Sequence, residues 1–116
     1  TPTTNIERLK KILKTCSGFL YYVSIKGITG AKSANPKLVK ESIRNIKKNT
    51  TIPVAVGFGI KGPSDAKKII KTGCDGIVIG STLVEIIENA LKNKKTKHNI
   101  ASKVGNMIKN IKQKIL

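Results

Sequence analysis

Ile52-Pro53-Val54-Ala55-Val56, running into Gly57-Phe58-Gly59-Ile60 and then Gly62-Pro63-Ser64-Asp65, decides the fold class of this chain. The first five residues are nearly all apolar, as in a strand of a parallel sheet buried on both faces. The glycines after them let the backbone turn tightly and adopt positive φ. Pro63 then opens a helix in its first turn, where the missing N–H costs nothing. Thr72-Gly73 stops that helix with glycine just past its end. The result is one strand–turn–helix unit, and the unit recurs on either side. Upstream, Gly18 is followed by the strand Phe19-Leu20-Tyr21-Tyr22-Val23-Ser24, a glycine-bearing loop from Ile25 to Ala34, and a helix started by Asn35-Pro36. Leu38, Val39, Ser42, Ile43 and Ile46 form the inner face of that helix. Downstream, Gly76-Ile77-Val78-Ile79-Gly80 is a third strand, and Ser81 opens a helix that carries Leu83, Val84, Ile86, Ile87 and Leu91 inward.

The two ends are helical. Thr4-Asn5-Ile6-Glu7 reads as a capping box in which Thr4 and Glu7 satisfy each other's free N–H groups, followed by Ile6, Leu9, Ile12 and Leu13 at helical spacing. Asn93 to Thr96 is a lysine-rich linker containing the approach to His98, and a last helix runs from about Asn99 to Lys114. Its stripe is Ile100, Val104, Met107, Ile108, Ile111 and Ile115. Apolar strands alternating with helices indicate a parallel sheet covered by helices. Three strands alone would leave two long parallel edges unpaired. A closed barrel of eight strands and about 250 residues removes those edges. Residues 1–116 are therefore expected to be an α/β partial domain, the C-terminal half of a (β/α)8 TIM barrel from helix 5 through helix 8.

The bulk numbers agree with one domain. The 116 residues are 39% hydrophobic, enough for a core. No run approaches the roughly 20 apolar residues that span a bilayer, and no secretory signal opens the chain, so no membrane partner is expected. The chain opens with Thr1, as a processed, trimmed or incomplete product would. Cys16 and Cys74 stand far apart with no CxxC pair and no cluster of histidines, which suits reduced thiols in a cytoplasmic protein and gives no metal site. The formal charge of +17 raises a nucleic-acid partner. Against that, arginine stands only at Arg8 and Arg44, although bidentate phosphate and guanine contacts favour it. The lysines also spread over every helix instead of forming a block. Together with the abundance of isoleucine and asparagine, this points to a lysine-rich composition and not to a nucleic-acid function.

In such a barrel, function stands at the C-terminal ends of the strands. Those ends carry Gly27-Ile28-Thr29-Gly30, Gly57-Phe58-Gly59 and Gly80-Ser81. The last turn leads straight into a helix whose free N–H groups and positive dipole end face the same mouth. Backbone amides of the last two turns, with the Ser81 hydroxyl, would grip a phosphate; a single such turn would serve merely as a tight connection. Alternation along the first strand puts Phe19, Tyr21 and Val23 on one face and Leu20, Tyr22 and Ser24 on the other. One tyrosine should face the barrel interior, where it either stacks on a flat substrate or packs as ordinary core. Of the six acids, Glu7, Glu41, Asp65, Glu85 and Glu88 fall on helices, and Asp75 precedes its strand at the opposite end from the mouth. None stands at a strand's C-terminal end, where a general acid or base is needed. His98 reads as a solvated linker residue.

Tyr21-Tyr22-Val23-Ser24 with Gly27-Ile28-Thr29-Gly30-Ala31 resembles the sixth strand and loop of the tryptophan synthase alpha chain family. Pro53 to Ile60 is similar to that family's seventh strand and turn, Asp75 to Ser81 to its eighth, and Thr1-Pro2-Thr3-Thr4 to the end of its fifth. Other phosphate-binding barrels share the later turns but not the Gly-Ile-Thr-Gly-Ala loop before them. The resemblance implies a retro-aldol cleavage of indole-3-glycerol phosphate to indole and glyceraldehyde 3-phosphate in tryptophan biosynthesis. It implies phosphate contacts from Gly30, Phe58, Gly59, Gly80 and Ser81, an indole pocket lined by Tyr21, and a closing loop bearing Thr29. It also implies a beta-chain partner in a heterotetramer, with pyridoxal phosphate on that partner and no cofactor here. Residues 25–35 become the segment that signals to the partner. The family's catalytic glutamate and aspartate belong to the first half of the barrel, outside these residues, so this chain alone is expected to be inactive. Two other readings stay open: a non-catalytic phosphate-binding half-barrel module, and a different phosphate-binding barrel enzyme.

Overall fold

The computed structural model describes residues 1–24, 35–57 and 59–116. In chain order the elements are α1 (Ile6–Thr15), β1 (Leu20–Val23), α2 (Pro36–Lys47), β2 (Val54–Gly57), α3 (Pro63–Ile70), β3 (Gly76–Val78), α4 (Ser81–Lys92) and α5 (Lys97–Ile115). The strands form one parallel sheet in the order β1-β2-β3. Tyr21 pairs in register with Ala55 and Ala55 with Gly76, while Val23 pairs with Gly57 and Gly57 with Val78.

The two faces of the sheet differ. Tyr22, Val54 and Val56 point to one side and are buried in a cluster with Leu9 of α1, Val39, Ile43 and Ile46 of α2, Ala66 and Ile69 of α3, and Ile111 of α5. This is the helical layer, and it contains the core. On the other face Phe19 remains 57% exposed and Tyr21 41% exposed, with Val78 similarly open. A sheet with apolar residues on both faces and helices on only one is what a segment of a closed barrel looks like, since its second face belongs to the lumen.

Asp75 ties the base of this layer together. Its Oδ2 accepts the Val54 N–H at 2.8 Å, and its Oδ1 accepts from Lys47 Nζ at 2.9 Å. Its own N–H donates to the Val54 carbonyl at 2.8 Å. One carboxylate thereby joins the start of β2 to β3 and to the end of α2. The Val54 N–H, and after it the Lys47 ammonium, hold the Asp75 carboxyl below the usual carboxylate range.

Several local expectations are corrected. The cap of α1 is Asn5, whose side chain accepts the Arg8 N–H at 2.9 Å. Thr4 is taken instead by the chain start, where its Oγ1 meets the Thr1 amino group and hydroxyl. At α2 the expected Asn35 cap holds, with Oδ1 accepting from Lys37 N at 3.0 Å. Leu38, however, faces out, because Val39, Ile43 and Ile46 already fill the arc that meets the sheet. His98 lies inside α5, because Thr96 caps that helix through the Asn99 N–H and starts it earlier than expected. Ile108 on the α5 stripe is half exposed.

The largest correction concerns α4. Ala90 is its only fully buried residue among those described, while Val84 is 62% and Leu91 61% exposed and Ile87 is also open. The place over β3 is taken largely by α5, whose Ile108, Ile111 and Ile115 share an apolar groove with Ile77 and Ile79, and of the α4 residues only Leu83 joins them there, pointing inward as expected. One strand is thus followed by two helices, and the first is an extra helix at the barrel mouth, not a flank of the barrel.

Candidate phosphate site

Three features build the mouth. First, Ser24 closes β1 against β2. Its Oγ donates to the Gly57 carbonyl at 2.7 Å and its N–H to the same oxygen at 3.1 Å. The end of β2 is therefore fixed immediately before the turn. Second, the turn crosses Gly59 at φ +72°, a left-handed conformation that favours glycine. Buried Ile60 anchors the turn from beneath. The Lys61 N–H then donates to Asp65 Oδ2 at 3.2 Å, tying the turn to the first turn of α3. Third, α4 starts at Gly80, which offers no side chain to cap it, and the Leu83 and Val84 N–H groups return to the Gly80 carbonyl at 2.9 and 3.1 Å. The earlier N–H groups of that first turn have no intrahelical acceptor and are left for an external one.

Gly59, Ile60, Lys61, Val78, Gly80, Ser81, Thr82 and Glu85 line one pocket of about 90 Å³ between the two turns. Among the described residues this small pocket offers backbone donors, two hydroxyls, one ammonium and one carboxylate, and its donors suit a compact anion.

The family profile described as tryptophan synthase alpha chain matches residues 1–115. This chain belongs to the tryptophan synthase alpha chain family. It is 42% identical over 111 residues to the tryptophan synthase alpha chain of Carboxydothermus hydrogenoformans, covering 96% of this chain and 41% of that one. Among solved structures it is similar to tryptophan synthase subunit alpha of Legionella pneumophila, with a TM-score of 0.77 and 29% identity over 98% of this chain and 39% of that one. The Pyrococcus furiosus structure described as the tryptophan synthase a2b2 complex gives a TM-score of 0.74 at 33% identity, over 95% and 42% of the two chains. The chain thus spans about two fifths of the length of these relatives, and its α/β fold is part of the tryptophan synthase alpha barrel.

Of the residues expected at the site, this tryptophan synthase alpha family chain brings Gly59, Gly80 and Ser81 together in the pocket. Tyr21 is not in its wall. It stands on the open sheet face, with its ring over Gly57. Gly30, Thr29 and Phe58 lie outside the described residues. Sequence reading missed Lys61, Thr82 and Glu85. The carboxylate could have been found: Glu85 follows Ser81 by four residues, which places both on one helix face. Lys61 carried no such signal, since its place depends on how the turn after Gly59 folds back.

Proposed function

We propose that the chain supplies the phosphate-gripping side of a tryptophan synthase alpha subunit. On this reading the whole protein is a cytoplasmic carbon–carbon lyase of tryptophan biosynthesis that cleaves indole-3-glycerol phosphate to indole and glyceraldehyde 3-phosphate. The observation that carries the reading is the convergence of Gly59, Gly80 and Ser81 on one small pocket at the start of α4. A phosphate there accepts hydrogen bonds from the free N–H groups of the first turn and from the Ser81 hydroxyl, and the positive end of the helix dipole favours its charge. Gly30 and Phe58 complete the grip, and Thr29 belongs to the loop that closes over substrate and excludes water. Tyr21, on the open sheet face beside Gly57, offers its ring to the indole.

Proton transfer is left to the other part of the barrel. Among the described residues Glu85 is the only acid lining the pocket, and it flanks the anion seat, not the sheet face where Tyr21 stands. Residues 1–116 alone are therefore inactive. On this reading the partner is a beta chain, supported by the a2b2 complex of the Pyrococcus furiosus neighbour, and the family resemblance implies that pyridoxal phosphate belongs to that partner.

The test is indole release from indole-3-glycerol phosphate by the native gene product, by its Ser81→Asp variant and by residues 1–116 alone. The native product is expected to release indole, the variant to raise KM at least about tenfold by placing a like charge in the anion seat, and residues 1–116 to release none. No release by the native product overturns the assignment. Release by residues 1–116 alone overturns the division of labour.

A further inference from the structure

The chain has 23 basic residues and six acidic ones, and two of the acids form ion pairs among the described residues. Asp75 pairs with Lys47 and Glu88 with Lys92, each at 2.9 Å. Asp65 accepts the Lys61 backbone N–H. Glu85, like Glu7 and Glu41, makes no ion pair among the described residues, but of these three it stands in the wall of the pocket, where Lys61 is the one cation among the described residues. It follows Ser81 by one helical turn, about 6 Å along the axis at 1.5 Å per residue.

This placement has an electrostatic consequence. The formal charges of Lys61 and Glu85 cancel, so the pull on an anion is left to the first-turn amides, the helix dipole and the hydroxyls of Ser81 and Thr82. Those donors satisfy one phosphoryl group. A second phosphoryl group on the same ligand has to approach the Glu85 carboxylate or leave the pocket. The space reinforces the point: about 90 Å³ is far below the roughly 300–1,000 Å³ of sites that hold larger ligands.

We propose that Glu85 is a specificity-determining residue of this pocket, which admits a single phosphoryl group and turns away diphosphates, with Lys61 as its counter-charge. The inference rests on the phosphate reading of the pocket given above. Like charges about 6 Å apart change an affinity roughly threefold per unit charge at the dielectric of water, and by more near a protein surface, so the effect is measurable.

Orthophosphate and pyrophosphate are titrated by calorimetry, at fixed ionic strength, into the native gene product and its Glu85→Gln variant. Glutamine matches glutamate in helix propensity and the site is exposed, so the variant is expected to melt as the wild type does. The wild type is expected to prefer orthophosphate. Glu85→Gln is expected to tighten orthophosphate at least about threefold and pyrophosphate by more, narrowing the preference. Unchanged affinities for both anions in the variant overturn the role of Glu85 while leaving the pocket in place. A wild type that binds neither anion overturns the phosphate reading, and this inference with it.

Discussion

The phenol hydroxyl of Tyr21 stands where a Cβ on Gly57 would have to be, and the ring atom Cε2 lies 2.9 Å from that point. Neighbouring strands in register usually present two side chains to each other. Here Val23 is the register partner of Gly57, and the empty side-chain position at Gly57 is filled diagonally by the tyrosine of the adjoining strand. Gly57 is therefore glycine for want of space, independently of its backbone conformation.

Gly57→Ala is expected to push Tyr21 off its seat and to destabilise by about 1–3 kcal/mol, the usual range for overpacking. Tyr21→Phe should relieve little of this, because the ring itself overlaps the new methyl group. Tyr21→Ala should relieve most of it, so the double variant is less destabilised than the sum of the single ones. Thermal melts of the four proteins check this, and strict additivity would contradict the contact.

Ser81→Asp separates stability from binding. Ser81 is the first residue of α4, behind an uncapped start, and a negative charge there interacts favourably with the helix dipole by about 0.3–1 kcal/mol. The melting temperature is expected to hold or rise slightly, while orthophosphate affinity falls at least about tenfold. Loss of both together would mean that the serine is needed for folding and not for the anion.

Asp75 gives the fold a sensitivity to acid. Its carboxyl is held below its ordinary value in the folded chain, chiefly by the Val54 N–H and then by Lys47. A depressed folded pKa stabilises above the unfolded value, and the contribution fades as pH falls through the folded one. Asp75→Asn is expected to lose up to about 1 kcal/mol at neutral pH, in keeping with a solvent-screened pair. The difference from wild type should vanish at the acid end of a pH series of denaturant melts. A constant difference across that series would argue against the ionised pair.

The two cysteines should differ in reactivity. Cys74 is buried, its Sγ donates to the Ile69 carbonyl at 3.5 Å, and burial pushes its thiol pKa up. Cys16 is half-buried, near the end of α1. At neutral pH a soluble thiol reagent is expected to modify Cys16 on the order of tenfold faster than Cys74, since the thiolate is the reacting form. Mass spectrometry of the partly labelled chain reads this directly, and equal rates would contradict the packing around Cys74.

Much of this architecture was legible because strand and helix signals agreed at each step. Val54-Ala55-Val56 between Pro53 and Gly57 suits only an apolar strand, and Asn35-Pro36 combines a side-chain cap with a proline at the first turn. The misreadings share a physical cause, which is competition between neighbours. Thr4 was a good cap in isolation but found partners in Thr1, leaving Asn5 to cap α1. Val84, Ile87 and Leu91 were apolar at helical spacing, and nothing local revealed that α5 would occupy the layer over β3 in their stead. At the site, the glycines of the turns were visible from conformational need. Lys61 was not, because a flexible side chain acquires its position only from the folded turn.

Little of the core depends on α4, whose single fully buried residue among those described is Ala90 and whose Leu83 shares the groove over Ile77 and Ile79. The helix that presents its first turn to the anion thus leans on the sheet behind it mainly through Leu83. Substitutions on its open surface should shift stability by no more than about 0.5 kcal/mol, whereas the same changes at Val54 or Val56 would cost several times as much. Selection can therefore redraw the residues around the anion seat without renegotiating the scaffold. A lineage exploring new ligands would be expected to accumulate its changes along Ser81 to Lys92 first, and in the sheet last.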